Sequence, residues 1–217
     1  MKDLLAIVDK IYCINLDSRE DRWKQVTQQF DTQGISEHVV RVAAVVDRDP
    51  RKGCLMSHLH CYQDALTHGY NNILIFEDDV YFVDYDMDIF NGVVDHLNKD
   101  ERWDLLYLGG NVMYPATFVH KYIFRSRFFS THAYVVNRRF FEKACSATVP
   151  IDKWYAWNSV SYGLYPMFAT QAETYSDIRK KDMGNLEEAF LRKYELLVKP
   201  NYFVRWYNYL VSHYFKN

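Results

Sequence analysis

Apolar positions along the chain follow two rhythms, one suited to strands and one to helices. KIYCINL, from Lys10 to Leu16, is a short run rich in β-formers and predicts a buried strand. SREDRWKQVTQQF then predicts a helix, with Asp17 or Ser18 as its cap, Asp21 three residues after Ser18, and Gly34 at its end. HVVRVAAVV reads as a second strand, and DRDPRKG as a polar turn. GCLMSHLHCYQDALTHG places Leu55, Leu59, Tyr62 and Leu66 on one helical face. NILIF predicts a strand, MDIFNGVVDHLN an amphipathic helix, and WDLLYLGG a strand closing on a glycine pair.

This β-α-β-α-β-α-β alternation predicts an α/β fold, with a mainly parallel sheet flanked by helices. After Gly110 the pattern changes. TFVHKYIF and STHAYVVN alternate as antiparallel or edge strands do, and a helix is expected from Arg138 to Ala147. PIDKWYAWNSVSYG, a strand-like YPMFATQ and a loop containing YSDIRKKDMG follow. The chain closes with a helix from Leu186 to Leu197 and the aromatic tail NYFVRWYNYLVSHYFKN. With no repeat and no low-complexity linker, residues 1–217 are expected to form a single domain.

Composition narrows the function classes. Hydrophobic residues make up 49% and charged residues 25%, which supports one sizeable core. Aromatic residues reach 17%; they suit sugar faces, but they fill cores equally well. A formal charge of −2 offers no global basic field, so a nucleic-acid partner is not expected. No apolar run reaches the roughly 18 residues of a spanning helix. The first residues, broken by Asp3, Asp9 and Lys10, do not read as a signal peptide. Cys13, Cys54, Cys61 and Cys145 are scattered without a CxxC pair, so reduced thiols in a cytoplasmic compartment are expected.

The strongest chemical signal is Glu77, Asp78 and Asp79, directly after NILIF. Ligands of open α/β sheets bind beyond the C-terminal ends of strands. Alternation sends Glu77 and Asp79 to one side and Asp78 to the other. Clustered carboxylates relieve their repulsion by holding a hard cation, Mg²⁺ or Mn²⁺, which can bridge a diphosphate. Alone, the triplet reads equally as a solvated turn or a helix cap. INLDSREDR adds Asn15, Arg19 and Arg22 past the first strand, where guanidinium forks suit phosphate or uracil carbonyls; pairing with Glu20 or Asp21 is the rival reading. GxGxxG, GxxxxGK[ST] and GxSxG are absent. Cys54, His58 and Cys61 share a helix face, but no CxxC or HxxxH companion supplies a fourth zinc ligand, so packing against the sheet is the preferred reading.

IYCINLDSREDRW, GCLMSHLHCYQDAL, NILIFEDDV, WDLLYLGG, THAYVVNRRFFEKA, PIDKW and QAETYSDI occur in the order seen in glycosyltransferase family 25. The chain resembles that family from about Ile11 to Ile178. The family includes bacterial lipooligosaccharide galactosyltransferases, collagen β-galactosyltransferases and viral relatives. The resemblance implies a GT-A type nucleotide-diphospho-sugar transferase fold. It also implies inverting transfer from a UDP-sugar, often UDP-galactose, with Mn²⁺ or Mg²⁺, to a glycan or glycoprotein acceptor in a bacterial or virus-infected cell. Residues 1–110 then form the nucleotide-binding half, 111–185 the donor-sugar and acceptor half, and 186–217 a helical, aromatic tail.

By the same resemblance, Glu77, Asp78 and Asp79 form the metal motif, with Asp79 as first ligand. Asn15, Leu16, Arg19 and Arg22 match the first nucleotide-binding segment, and Ser57 with His58 the pair near the donor. Thr131 and Tyr134 match the segment under the donor sugar. Gln171, Ser176 and Asp177 match a late segment that closes on donor or acceptor. Asp152 matches the acidic position of the general base, with a helix N-cap as its other reading, and Asp177 is the rival base. The tail from Leu191 onward mixes Arg and Lys with many aromatics, which suits packing over the sheet, a homodimer interface or a peripheral membrane contact. Two other functions fit the same residues: a nucleotide-sugar-binding partner of a glycosylation complex, and a metal-dependent phosphohydrolase.

Overall fold

The apolar runs become the central strands of a sheet with helices on both faces. The computed structural model describes residues 5–83, 88–100, 102–172, 175–176 and 181–182. The elements run β1 (Lys10–Asn15), α1 (Glu20–Gln33), β2 (Val39–Ala43), α2 (Pro50–His68), β3 (Asn72–Glu77), β4 (Val80–Phe82) and α3 (Asp88–Lys99). They continue as β5 (Leu105–His120), β6 (Ile123–Asn137), α4 (Arg138–Ala144), α5 (Ile151–Asn158), β7 (Ser161–Leu164), β8 (Ala169–Gln171), β9 (Tyr175–Ser176) and β10 (Lys181–Asp182). The helix expected at Leu186–Leu197, the aromatic tail and Asp177 lie outside the described residues.

The main sheet has the order β2-β1-β3-β6-β5-β7. β1 pairs in parallel with β2 and β3, β5 pairs in parallel with β7, and β6 runs antiparallel to both β3 and β5. Five strands therefore share one direction and β6 alone opposes them. This is the mixed, mainly parallel arrangement expected of a GT-A type fold.

Alternation along each strand divides the core into two layers. Tyr12, Ile14, Ile73 and Ile75 pack with Leu55, Leu59 and Tyr62 of α2 and with Phe140 and Tyr155 of α4 and α5. Ile11, Cys13, Leu74 and Phe76 pack on the other face with Val26 and Phe30 of α1 and with Phe90, Val93 and Leu97 of α3. Both faces of β1 and β3 are covered, which is why these strands read as continuous apolar runs.

Several boundaries differ from the sequence reading. α1 begins at Glu20 with Arg19 at the N-cap and no side-chain cap, so neither Asp17 nor Ser18 caps it. α2 starts within DRDPRKG: Asp49 accepts a hydrogen bond from the Arg51 N–H and Pro50 takes the first helical position. Gly53 thus lies inside the helix, where a Cβ would come 2.4 Å from the Val45 carbonyl oxygen. TFVHKYIF is not one strand. β5 ends at His120, and β6 begins at Ile123 and pairs back on it, Phe118 opposite Phe124. The β5–β6 hairpin is longer than expected and carries several register shifts. Its far end curls until Ile123–Arg125 pair with Tyr162–Leu164 of β7.

Candidate functional site

The parity of β3 continues into the acidic triplet. Ile73 and Ile75 face the α2 layer, so Glu77 does too; Leu74 and Phe76 face the α1 layer, so Asp78 does too. Glu77 accordingly meets His58 of α2, Nε2 to Oε1 3.3 Å, and its Oε1 accepts a hydrogen bond from the Thr131 hydroxyl on β6. Asp78 receives Arg22 Nη1 from α1 at 2.9 Å and Asn15 Nδ2 from the end of β1 at 2.7 Å. Arg41 in turn donates to Asn15 Oδ1. The Arg22–Asp78 pair is nearly sealed, with side chains 9% and 8% exposed.

Asp79 lies in the turn after β3. A small second sheet holds that turn: β4 pairs with β8, and the Ala172 N–H donates to the Asp79 carbonyl at 2.7 Å. Gln171 Nε2 donates to Asp79 Oδ2 at 3.2 Å. Among the described residues, Asp79 Oδ1 is buried with no hydrogen-bond partner. Burial raises the Asp79 carboxyl to about 7, with Glu77 and Asp78 adding to the shift. Burial also raises Asp78, against Asn15 and Arg22. For Glu77, burial acts upward, but His58 and Thr131 outweigh it and hold the carboxyl below its usual value. An unpartnered, buried carboxylate oxygen beside two further carboxylates fits a hard divalent cation, and Asp79 is the residue best placed to hold it.

These residues floor a pocket of about 490 Å³, within the usual range for small-molecule sites. Leu16, Arg22, Ser57, His58, Thr131 and Gln171 reach it, as do all three acids. Asp152, in the first turn of α5, also lines it. Asp152 is not the N-cap: Pro150 occupies that position, and among the described residues Asp152 Oδ1 accepts the adjacent Lys153 N–H at 2.7 Å.

Other expected residues support the walls instead of lining them. Asn15 stands behind Asp78. Tyr134 lies beneath His58, its hydroxyl 2.7 Å from Nδ1 and 2.8 Å from the Tyr62 hydroxyl. Arg19 pairs with Asp21 at 2.9 Å, the rival reading of that residue. Ser57 lines the pocket but its hydroxyl is engaged, donating to the Gly53 carbonyl and accepting from the Val45 N–H. Ser176 lies in β9, which pairs with β10, and Asp177 falls outside the described residues.

The pocket also contains two cations that the sequence did not single out and a thiol that it read as packing against the sheet. Arg51 and Lys153 bring positive charge to the lining, and Cys54 sits beside His58. The Asp49-Pro50 pair was the available signal for Arg51, since an N-cap followed by proline marks a helix start. Ser130 lines the pocket with φ 70°, a left-handed conformation uncommon for a residue with a Cβ. Asn111 Nδ2 donates to its hydroxyl at 2.7 Å, which secures the bend that presents Thr131 to Glu77.

Comparison with known proteins gives consistent results. Residues 48–171 match the family model described as glycosyltransferase family 25 (LPS biosynthesis protein). A stretch of 138 residues is 26% identical to the probable inactive glycosyltransferase 25 family member 3 of Bos taurus, covering 49% of this chain and 22% of that protein. A stretch of 68 residues is 34% identical to the inactive glycosyltransferase 25 family member 3 of Homo sapiens, covering 29% of this chain and 11% of that protein. The matched stretches thus span less than a quarter of either mammalian relative. The crystal structure of A197 from STIV superposes with a TM-score of 0.51 at 12% identity, over 79% of this chain and 91% of that one.

Proposed function

The chain belongs to glycosyltransferase family 25, and from that premise we propose that it is a metal-dependent, inverting hexosyltransferase. Its donor is a UDP-sugar, with galactose the first choice, and its acceptor a saccharide or hydroxylated glycoprotein. The observation that carries this reading is the buried Asp79 Oδ1, unpartnered among the described residues, in a pocket that Asp152 also reaches from another element. On this reading one carboxylate would hold the cation and a separate one would take the proton, the division that inverting transfer requires.

In the reaction, the acceptor oxygen bonds to the anomeric carbon as the bond to the diphosphate breaks. The acceptor proton passes to Asp152, and the electron pair leaves with the diphosphate. Asp79, supported by Glu77, would hold a divalent cation, which would supply neutralisation of the charge that grows on that leaving group. Arg22 pairs with Asp78 and so holds the floor rigid; Arg51, itself paired with Asp49 at 3.1 Å, and Lys153 are further cations bordering the pocket. His58 and Thr131 fix the Glu77 carboxylate, and Gln171 fixes Asp79.

A second reading has its own motive. The mammalian relatives carry the word inactive in their names, and a chain of this family that binds donor without transfer would serve as a partner in a glycosylation complex. Thermal shift with UDP, UDP-galactose and UDP-glucose, each with and without Mn²⁺, tests donor binding. Stabilisation that requires both nucleotide and metal, and disappears in Asp79→Ala, is expected. No response to any nucleotide would sink both readings. Binding with no glycosyl transfer, to acceptor or to water, would leave only the second.

A further inference from the structure

Cys54 and His58 stand one helical turn apart on α2, with their side chains toward the end of β3. Cys54 Sγ, a ring nitrogen of His58 and a carboxylate oxygen of Glu77 all lie within 4.8 Å of one another. The second thiol on that helix face takes no part: Cys61 is buried and donates to the Ser57 carbonyl. The ligand that α2 lacks in sequence is supplied by a residue 19 positions past His58, on another element.

We propose that Cys54, His58 and Glu77 form a binding site for a zinc-class divalent metal, distinct from the hard-cation site centred on Asp79. One thiolate, one imidazole and one carboxylate make a mixed donor set that suits Zn²⁺ or Co²⁺ and not Mg²⁺. Its supporting shell is already built. His58 is fully buried, and its Nδ1 sits 2.7 Å from the Tyr134 hydroxyl, which leaves Nε2 directed at Glu77. Metal-bound histidines use their second nitrogen in this way, donating it to an oxygen that fixes the ring.

The hydroxyl chain can accommodate the change of tautomer. Without metal, Nε2–H donates to Glu77 and Tyr134 donates to Nδ1. With metal on Nε2, Nδ1–H donates to Tyr134, which turns its own proton to Tyr62 or Tyr155, both within hydrogen-bond reach. The Thr131 hydroxyl holds the other partner, Glu77. All three ligands border the pocket, so the fourth coordination position opens to it, as in zinc sites that take water or substrate. Burial and the nearby carboxylates keep the Cys54 thiol protonated in the metal-free protein, so binding releases a proton. This site does not rest on the transferase reading; it shares with it Glu77 and the His58 that orients it.

Cobalt(II) is the probe, because a thiolate ligand gives a ligand-to-metal charge-transfer band that oxygen ligands do not. The metal-free full chain, titrated with Co²⁺, is expected to develop that band at stoichiometric metal and to lose it on addition of Zn²⁺. Cys54→Ser is expected to abolish the band and Cys61→Ser to keep it. Absence of the band in the parent chain, or its persistence in Cys54→Ser, overturns the proposal. Should Cys54→Ser fail to fold, alkylation of the parent chain decides: Zn²⁺ must shield Cys54, located by peptide mass mapping, and equal labelling with and without Zn²⁺ overturns the site. UDP–Mn²⁺ binding, read separately by thermal shift, reports on the Asp79 site, so the two readings fail independently.

Discussion

Replacing Asp79 with Asn removes the one carboxyl of the floor that is held near neutrality. Asp79 is raised from 3.8 to about 7, first by burial and then by Glu77 and Asp78. Between those values the native state holds a proton that the unfolded chain has lost, so this group makes stability fall as pH rises from about 4 through 7. At about 1.4 kcal/mol per tenfold change in proton affinity, the whole effect is about 4 kcal/mol, and the part between pH 5 and pH 8 about 3 kcal/mol. Two neighbours act differently. His132, lowered to about 4 by burial, is neutral when native and adds stability as pH rises from about 4 to 6.5. Glu77, held below its usual value of 4.5, contributes stability that is lost only as pH falls below the measured range. Both are common to parent and variant, so the comparison isolates Asp79. Urea denaturation at pH 5 and pH 8, with divalent metal removed, is the assay. From pH 5 to pH 8 the parent is expected to lose about 3 kcal/mol relative to Asp79→Asn. Mn²⁺ at pH 8 is expected to restore the parent far more than the variant. Identical pH dependence in the two proteins would refute the account of a floor strained by its own charge.

Asp152→Asn is expected to keep metal-dependent UDP binding and to lower transfer by about 10³-fold, the typical contribution of a general base; full activity in a donor-to-acceptor assay excludes it as the base. Arg22→Met strands a buried carboxylate at Asp78 and is expected to cost about 3 kcal/mol by urea denaturation, with most of the loss recovered when Asp78→Asn is added. Tyr134→Phe removes the hydroxyl joining His58 to Tyr62 and should cost about 1–2 kcal/mol; an unchanged denaturation midpoint contradicts the network. Gly109→Ala brings a Cβ within 1.9 Å of the Ala169 carbonyl oxygen and 2.6 Å of His132 Nε2. It should destabilise the fold by about 3 kcal/mol, because backbone must move, and normal thermal stability would contradict that close approach.

The parts of the fold legible in sequence are those where one local rule sufficed. β1 and β3 are buried on both faces, so IYCIN and ILIF stand out as unbroken apolar runs. The same alternation, carried past Phe76, predicted that Asp78 would part from Glu77, and it does. The hairpin was harder. Its bulges break the period of two, so TFVHKYIF looked like one strand where the chain turns back. Within the site, the triplet announced itself by charge density. Arg51 did not, and Cys54 was read as packing against the sheet, since each reaches the pocket through the packing of α2 beneath the β2–α2 connection. Arg19 and Arg22 part for a related reason: the Arg19 guanidinium pairs with Asp21 two residues away, Arg22 with the buried Asp78, and sequence order does not reveal which of two nearby arginines turns inward.

The placement of β6 between β3 and β5 has a consequence for how the chain is made. The sheet order is not the order of synthesis: β3 finds its second partner only when Asn137–Ala133 arrive, after β4, α3 and β5. Until then a ribosome-bound chain presents Ile73–Phe76, fully buried in the finished protein, as an open apolar edge able to pair with another chain. Chains truncated between β5 and the end of β6 should therefore aggregate, whereas chains that include β6 should not, and the strand that carries the acidic triplet is open to such pairing throughout that interval.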